Sequence, residues 1–278
     1  MFHFVLAVVT SAMVSVFMRL SEKHVQNNIT MLACNYLMCS LLSLAYTQNL
    51  SVFPNVSGLG LTLGLGVING VFYLSGFVML NWNIRKNGVV LSAMFMKLGV
   101  VVPTLMAIFI FGETPAPLQV AGIVAALAAI VLIRFEKGQN RAASSTGLVA
   151  LVLAGGMADG MSKVFEVYGN ASLNDQFLLY TFLTALILCV SLAVIHKQSI
   201  SLRDVLFGFL IGIPNYLTAR FLLLSLKTIP AIVAYPCYSV GAIVLVTLSG
   251  VVFFREKLSR RQVISLVVIL AALALLNL

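Results

Sequence analysis

The feature that most constrains this chain is a succession of long apolar runs, each bounded by short polar punctuation. They fall at about 3–20, 29–47, 58–80, 88–111, 117–135, 146–168, 177–195, 204–226, 230–254 and 261–278. A helix needs about 20 consecutive apolar residues to cross a bilayer. Ten such runs in 278 residues leave no room for a soluble domain. Composition agrees: 61% of residues are hydrophobic and 9% charged, against about 45–50% and about 25% in soluble domains. An all-α membrane protein of ten transmembrane helices follows. A cytosolic enzyme, a nucleic-acid binder and a receptor with a folded ectodomain are excluded. Cys34, Cys39, Cys189 and Cys237 all lie inside apolar runs without a CxxC pair or clustered histidines, which points to packing residues rather than a disulfide framework or zinc site.

The net charge of +9 is distributed by topology. Connections after spans 1, 3, 5, 7 and 9 hold twelve basic residues: Lys23, Arg85, Lys86, Arg134, Lys137, Arg141, Lys197, Arg203, Arg255, Lys257, Arg260 and Arg261. The opposite side holds only Lys227. Basic loops stay cytoplasmic, so both termini are expected outside a cytoplasmic membrane, in a cell of bacterial type. The basic face also attracts anionic lipids.

The chain also repeats itself. Shifted by 143 positions, residues 88–132 lie over 231–275 with 13 of 45 identical. Thr104 falls on Thr247, Glu113 on Glu256 and Gln119 on Gln262, so GETPAPLQV lies over REKLSRRQV. With small gaps, Arg19 and Glu22 lie over Lys163 and Glu166, and Asn69 over Asn215. The halves are residues 1–136 and 146–278, joined by a cytoplasmic linker at 137–145. Because five spans is an odd number, the second half is inverted relative to the first, a plan used by many secondary transporters with a midplane site. Small-residue spacings at Gly60 and Gly64, Gly66 and Gly70, Gly156 and Gly160, and Gly208 and Gly212 suggest close helix contacts. Ser259 with Gln262 reads as a capping box for span 10 and Pro117 suits the first turn of span 5. Glu113 and Glu256 then sit near positive helix N-termini.

These features, with Gly112-Glu113 and Arg255-Glu256 closing spans 4 and 9 and Gln119 and Gln262 opening spans 5 and 10, resemble the drug/metabolite transporter superfamily, in particular its EamA-like members. The resemblance covers the whole chain. It implies secondary transport of a small metabolite in either direction without ATP, and names no substrate. Many EamA-like proteins carry a basic connection after span 2 and cytoplasmic ends. Here that connection is uncharged.

Polar groups inside the bilayer are the candidate site, because a charge at the centre costs about 2.5–3.5 kcal/mol. Lys97 lies deep in span 4 and must face a cavity or counter-charge. Asp159 and Lys163 are four apart on one face of span 6, suited to neutralising each other or, with Lys97, to coupling charge. Asn69 and Asn215 are related by the repeat, able to bracket a ligand or to bond across helices. Tyr73 lies one turn from Asn69. Tyr216 and Arg220 follow Asn215, and Tyr235 and Tyr238 flank Pro236.

Lys97, Lys163 and Arg220 against Asp159 leave surplus positive charge, favouring an anionic or zwitterionic solute. The expected partners are that solute, membrane lipids, and a coupling proton or counter-substrate, with no nucleic acid, cofactor or metal. A lipid or amphiphile flippase, or an exporter of cationic or aromatic compounds, is the alternative. His3, His24 and His196 lie outside the spans and no HExxH occurs, so no enzyme activity is expected.

Overall fold

The computed structural model describes residues 2–21, 24–47, 50–87, 95–96, 99–134 and 145–254, with Val267 and Ala271. Its helices are α1 (Phe2–Ser21), α2 (Asn28–Tyr46), α3 (Leu59–Asn87), α4 (Val101–Phe109), α5 (Pro117–Arg134), α6 (Ser145–Tyr168), α7 (Asn174–Ile195), α8 (Leu202–Leu226) and α9 (Ala231–Phe254). Among the described residues six helices are long and apolar enough to cross a membrane. Helix is the form such segments must take, because it pairs every interior backbone N–H and C=O without water. The run expected at 261–278 lies outside the described residues apart from Val267 and Ala271, as do Lys97, Glu256, Ser259 and Gln262. α3 outlasts its apolar window by a turn or more, taking in Lys86, whose ammonium lies 4.1 Å from the centre of the Trp82 ring.

The chain divides into two compact units, Met1–Leu74 with Met161–Thr228, and Ser75–Gly160 with Ile229–Leu278. Each draws on both sequence halves. In the first unit α8 packs against α1 and α2, and α2 also packs against α7. Glycine makes these approaches close. A Cβ on Gly208 would lie 2.6 Å from the Met31 carbonyl oxygen, and one on Gly212 would lie 2.8 Å from that of Asn35. On α3, a Cβ on Gly66 would lie 2.6 Å from the Cβ of Tyr180, and one on Gly70 would lie 2.5 Å from the Thr181 carbonyl oxygen. Gly60 and Gly64 share that spacing but meet nothing within 4 Å. Among the described residues no neighbour stands on their side of α3, so the helix contact expected there is not made by them.

The connections of this unit are tied by side chains. Asp204, fully buried in the first turn of α8, accepts from the backbone N–H of Gln26 at 2.9 Å, Asn27 at 3.4 Å and Ser201 at 3.3 Å. The last bond belongs to a capping box that Ser201 completes, and the other two join the α1–α2 connection to the start of α8. At the other end of α2, Asn170 Nδ2 donates to the Ser57 carbonyl at 3.1 Å and the Tyr180 hydroxyl to that of Val52 at 2.6 Å. The first joins the α2–α3 and α6–α7 connections, and the second ties the α2–α3 connection to α7.

In the second unit α9 packs on α4 and α5. Gly156 faces Gly99 and Val102, Gly160 faces the Met106 sulfur, and Asn83 Nδ2 donates to the Gly147 carbonyl at 2.8 Å. Pro117 opens α5. Glu113 caps α9, one oxygen accepting from Ala231 N–H at 3.2 Å and the other from Ile232 N–H at 2.9 Å. A carboxylate there satisfies orphan donors and meets the positive end of the helix dipole.

A methyl group at position 212 has no space, whereas one at 64 does. Gly212→Ala is expected to destabilise the protein by about 1–3 kcal/mol through overpacking, while Gly64→Ala leaves stability unchanged or raised by up to ~1 kcal/mol. Thermal unfolding of the two variants in detergent measures the contrast.

Candidate functional site

Polar and aromatic side chains converge in the first unit around Arg220. Tyr216 and Arg220 are four residues apart on α8 and so project from one face. Arg220 Nη1 donates to Asp175 Oδ1 at 2.6 Å and to the Tyr216 hydroxyl at 2.8 Å. Its guanidinium carbon lies 3.9 Å from the centre of the Tyr46 ring, a cation–π contact. The Tyr46 and Tyr216 rings stack with centroids 5.7 Å apart. Phe182 meets Tyr216 edge-on at 6.4 Å and Tyr73 edge-on at 5.6 Å, and Tyr36 stacks on Phe182 at 6.5 Å. A continuous aromatic wall therefore runs from the Arg220–Asp175 pair to Tyr73, built by α2, α3, α7 and α8. The pair itself is partly accessible, with side chains 21% and 23% exposed.

Sequence reasoning named Tyr73, Tyr216 and Arg220 and missed Asp175, Tyr46, Tyr36 and Phe182. Asp175 was left out because the apolar run begins at residue 177, whereas α7 begins at Asn174. The available signal was an acidic residue suited to a helix's first turn, where the dipole favours it. Arg220 thus carries its own counter-ion.

Lys163, itself buried, bonds Glu166 Oε2 through Nζ at 2.6 Å. The spacing is i,i+3, where the sequence suggested Asp159 at i,i+4. Both spacings put residues on one helix face, so patterning does not choose between them. Of the three cations behind the expected positive surplus, Arg220 and Lys163 are ion-paired, and Lys97 lies outside the described residues.

The two asparagines sit in matching positions. Asn69 on α3 donates from Nδ2 to Thr181 Oγ1 of α7 at 3.4 Å, and Asn215 on α8 donates from Nδ2 to Asn35 Oδ1 of α2 at 3.2 Å. Asn69 and Asn35 are each 1% exposed, and Asn69 Oδ1 and Asn35 Nδ2 have no hydrogen-bond partner among the described residues. Buried polar atoms are normally paired, so an acceptor and a donor are held open beside these bonds.

In the second unit Tyr235 is buried and donates to the backbone carbonyl of Asp159 at 2.6 Å, and Tyr238 is likewise buried.

The sequence profile of the EamA-like transporter family matches residues 1–135 and again residues 146–278. This chain belongs to the EamA-like transporter family. It is therefore a multi-pass membrane protein of a transporter family. An uncharacterized protein of Haemophilus influenzae is 23% identical over 290 positions, covering 98% of this chain and 96% of that protein. The uncharacterized membrane protein YvaE of Bacillus subtilis is 47% identical over 58 residues, 21% of this chain and 49% of its own length. A protein crystal structure superposes with a TM-score of 0.75 at 16% identity, covering 99% of this chain and 94% of that one. That likeness extends to the fold.

Removing one member of the EamA-like chain's Arg220–Asp175 pair leaves the other partly buried and uncompensated. Asp175→Asn is expected to cost about 1–3 kcal/mol, below the range for fully buried pairs because both side chains reach solvent. Adding Arg220→Gln recovers part of that loss, and a double-mutant cycle of thermal stabilities measures the coupling.

Proposed function

We propose that this protein is a secondary transporter or exchanger that moves a small polar organic metabolite, anionic or zwitterionic, across the cytoplasmic membrane by alternating access. Its ten spans form two inverted five-helix repeats, 1–136 and 146–278, joined by the linker 137–145, with both termini outside. The repeat reading is supported by the double family match and by the paired asparagine contacts. Asn69 reaches from the third span of the first half to the second span of the other, and Asn215 does the reverse. Gly66 and Gly70 on one side and Gly208 and Gly212 on the other close the same two helix pairs.

The observation that carries the solute class is the Arg220–Asp175 pair set against the stacked Tyr46 and Tyr216 rings. A guanidinium and a carboxylate side by side offer a carboxylate and an ammonium of one solute their complements. The pairing of Arg220 and Lys163 cancels most of the cationic surplus that favours a plain anion, so a zwitterion is the better match. The aromatic wall takes the solute's carbon body, and the open Asn69 Oδ1 and Asn35 Nδ2 orient its polar groups. Lys97 and Asp159 supply the charge that couples movement to a proton or a counter-substrate, because ionisable groups within spans are costly unless they serve such a pathway.

Proteoliposomes loaded with mixtures of acidic, zwitterionic and cationic metabolites test this. Counterflow of a zwitterionic solute is expected, and Tyr46→Ala and Lys97→Ala should each slow it at least tenfold while leaving the protein folded. Wild-type rates in Lys97→Ala would remove Lys97 from the pathway, and counterflow of cationic solutes alone would overturn the solute class.

A further inference from the structure

A cavity of about 180 Å³ lies in the first unit, lined by Phe165, Glu166, Gly169, Ala171, Asn174, Leu223 and Lys227. It is separate from the residues of the Arg220 cluster, yet it borders them. Leu223 and Lys227 follow Arg220 by three and seven residues on α8, and Asn174 immediately precedes Asp175. At 1.5 Å per residue Lys227 stands roughly 10 Å beyond Arg220 along the helix. The cavity therefore sits on the approach to the Arg220–Asp175 pair from the end of α8.

Its floor is rigid and apolar. Phe165 is 1% exposed and stacks on Phe177 with centroids 4.3 Å apart and planes 7° from parallel, and Leu223 is 2% exposed. Its rim is charged. Glu166 is already bonded to Lys163, whereas Lys227 makes no ion pair among the described residues. Lys163, Glu166 and Lys227 sum to one positive charge, and Arg220 with Asp175 adds none. Lys227 is also the one basic residue in the connections expected on the outer side, where the other twelve do not go. A site that pairs a surplus ammonium with an apolar floor complements a small organic anion. With about 30 Å³ per water, the cavity holds roughly six waters or a solute of about six non-hydrogen atoms.

We propose that this cavity is a second solute site, which takes a small carboxylate, its carboxyl group on Lys227 and its carbon body on Phe165 and Leu223. The remaining polar group of the solute, hydroxyl or ammonium, meets Glu166 and Asn174. Such a site concentrates solute one step ahead of the Arg220 cluster. It stands independently of the transport reading, because it is defined by equilibrium binding and needs no solute movement.

The test is equilibrium binding to the detergent-solubilised full-length protein, followed by saturation-transfer NMR. Three probes of similar size are used: L-lactate, L-alanine and propylammonium. Lactate and alanine differ in a hydroxyl against an ammonium, so they separate a monoanion from a zwitterion at the same carboxylate. Binding of either acid, with propylammonium silent, is the expected result. Lys227→Glu should weaken it at least tenfold, Lys227→Arg should restore it, and Ala171→Leu should abolish it by filling the cavity with the charges intact. Lys227 and Ala171 are exposed, and unchanged melting temperatures show that these variants fold. Equal acid binding by wild type and Lys227→Glu, undisturbed binding in Ala171→Leu, or a preference for propylammonium would each overturn the proposal. The same probes and variants are measured again in a Tyr46→Ala background, where the Arg220 cluster is impaired, so that the Lys227-dependent and Ala171-dependent binding that remains there belongs to the outer site.

Discussion

Between two helices in a bilayer there is no water to expel, so the hydrophobic effect that docks soluble helices is missing. What remains is close contact, and this protein obtains it with glycine. Gly208 and Gly212 bring α8 onto the backbone of α2, and Gly66 and Gly70 bring α3 onto α7. At those distances short polar side chains reach across. Asn215 meets Asn35, Asn69 meets Thr181, the Cys39 thiol reaches the Gly212 carbonyl at 3.3 Å, and Thr218 donates to Thr10 at 2.9 Å. Each bond is worth ~0.6 kcal/mol in a membrane, so many are needed. The glycine grooves make them possible together.

The same economy governs charge. Several charged groups of the first unit have a local answer: Arg220 with Asp175, Lys163 with Glu166, Asp204 with three backbone N–H groups. Pairing lowers the cost of placing charge away from water. It also means that a solute approaching Arg220 meets a dipole framed by tyrosines rather than a bare cation. On the proposed reading, a ligand that shares or displaces Asp175 there must carry a group of each sign.

Much of the fold was legible because span length and hydropathy are local properties. Residues 3–20, 29–47 and 204–226 lie within a few positions of α1, α2 and α8. What escaped was relational. Nothing within the first apolar runs says that Tyr46 will lie under a guanidinium 174 residues later. Spacing did not reveal that Lys163 bonds Glu166, nor that Gly66 and Gly70 face α7 while Gly60 and Gly64 meet no described residue, because periodicity fixes a face and not its neighbour. The end of a span was the least secure feature, and it mattered most at Asp175. Three residues more on α7 would have shown that Arg220 has a counter-ion.

Asp204 has a consequence for how the chain is made. The N–H groups of Gln26 and Asn27, at the head of α2, find their acceptor 178 and 177 residues downstream. Ribosomes add about 5–20 residues per second, so α2 waits roughly 10–35 s for that carboxylate. Throughout this interval the side of α2 that carries Cys34, Asn35 and Met38 lacks α8. The early half of the protein therefore spends its youth as an unfinished surface in the lipid, with a buried amide still exposed. Until α8 is made, the groove it fills stays open to lipid or to another helix.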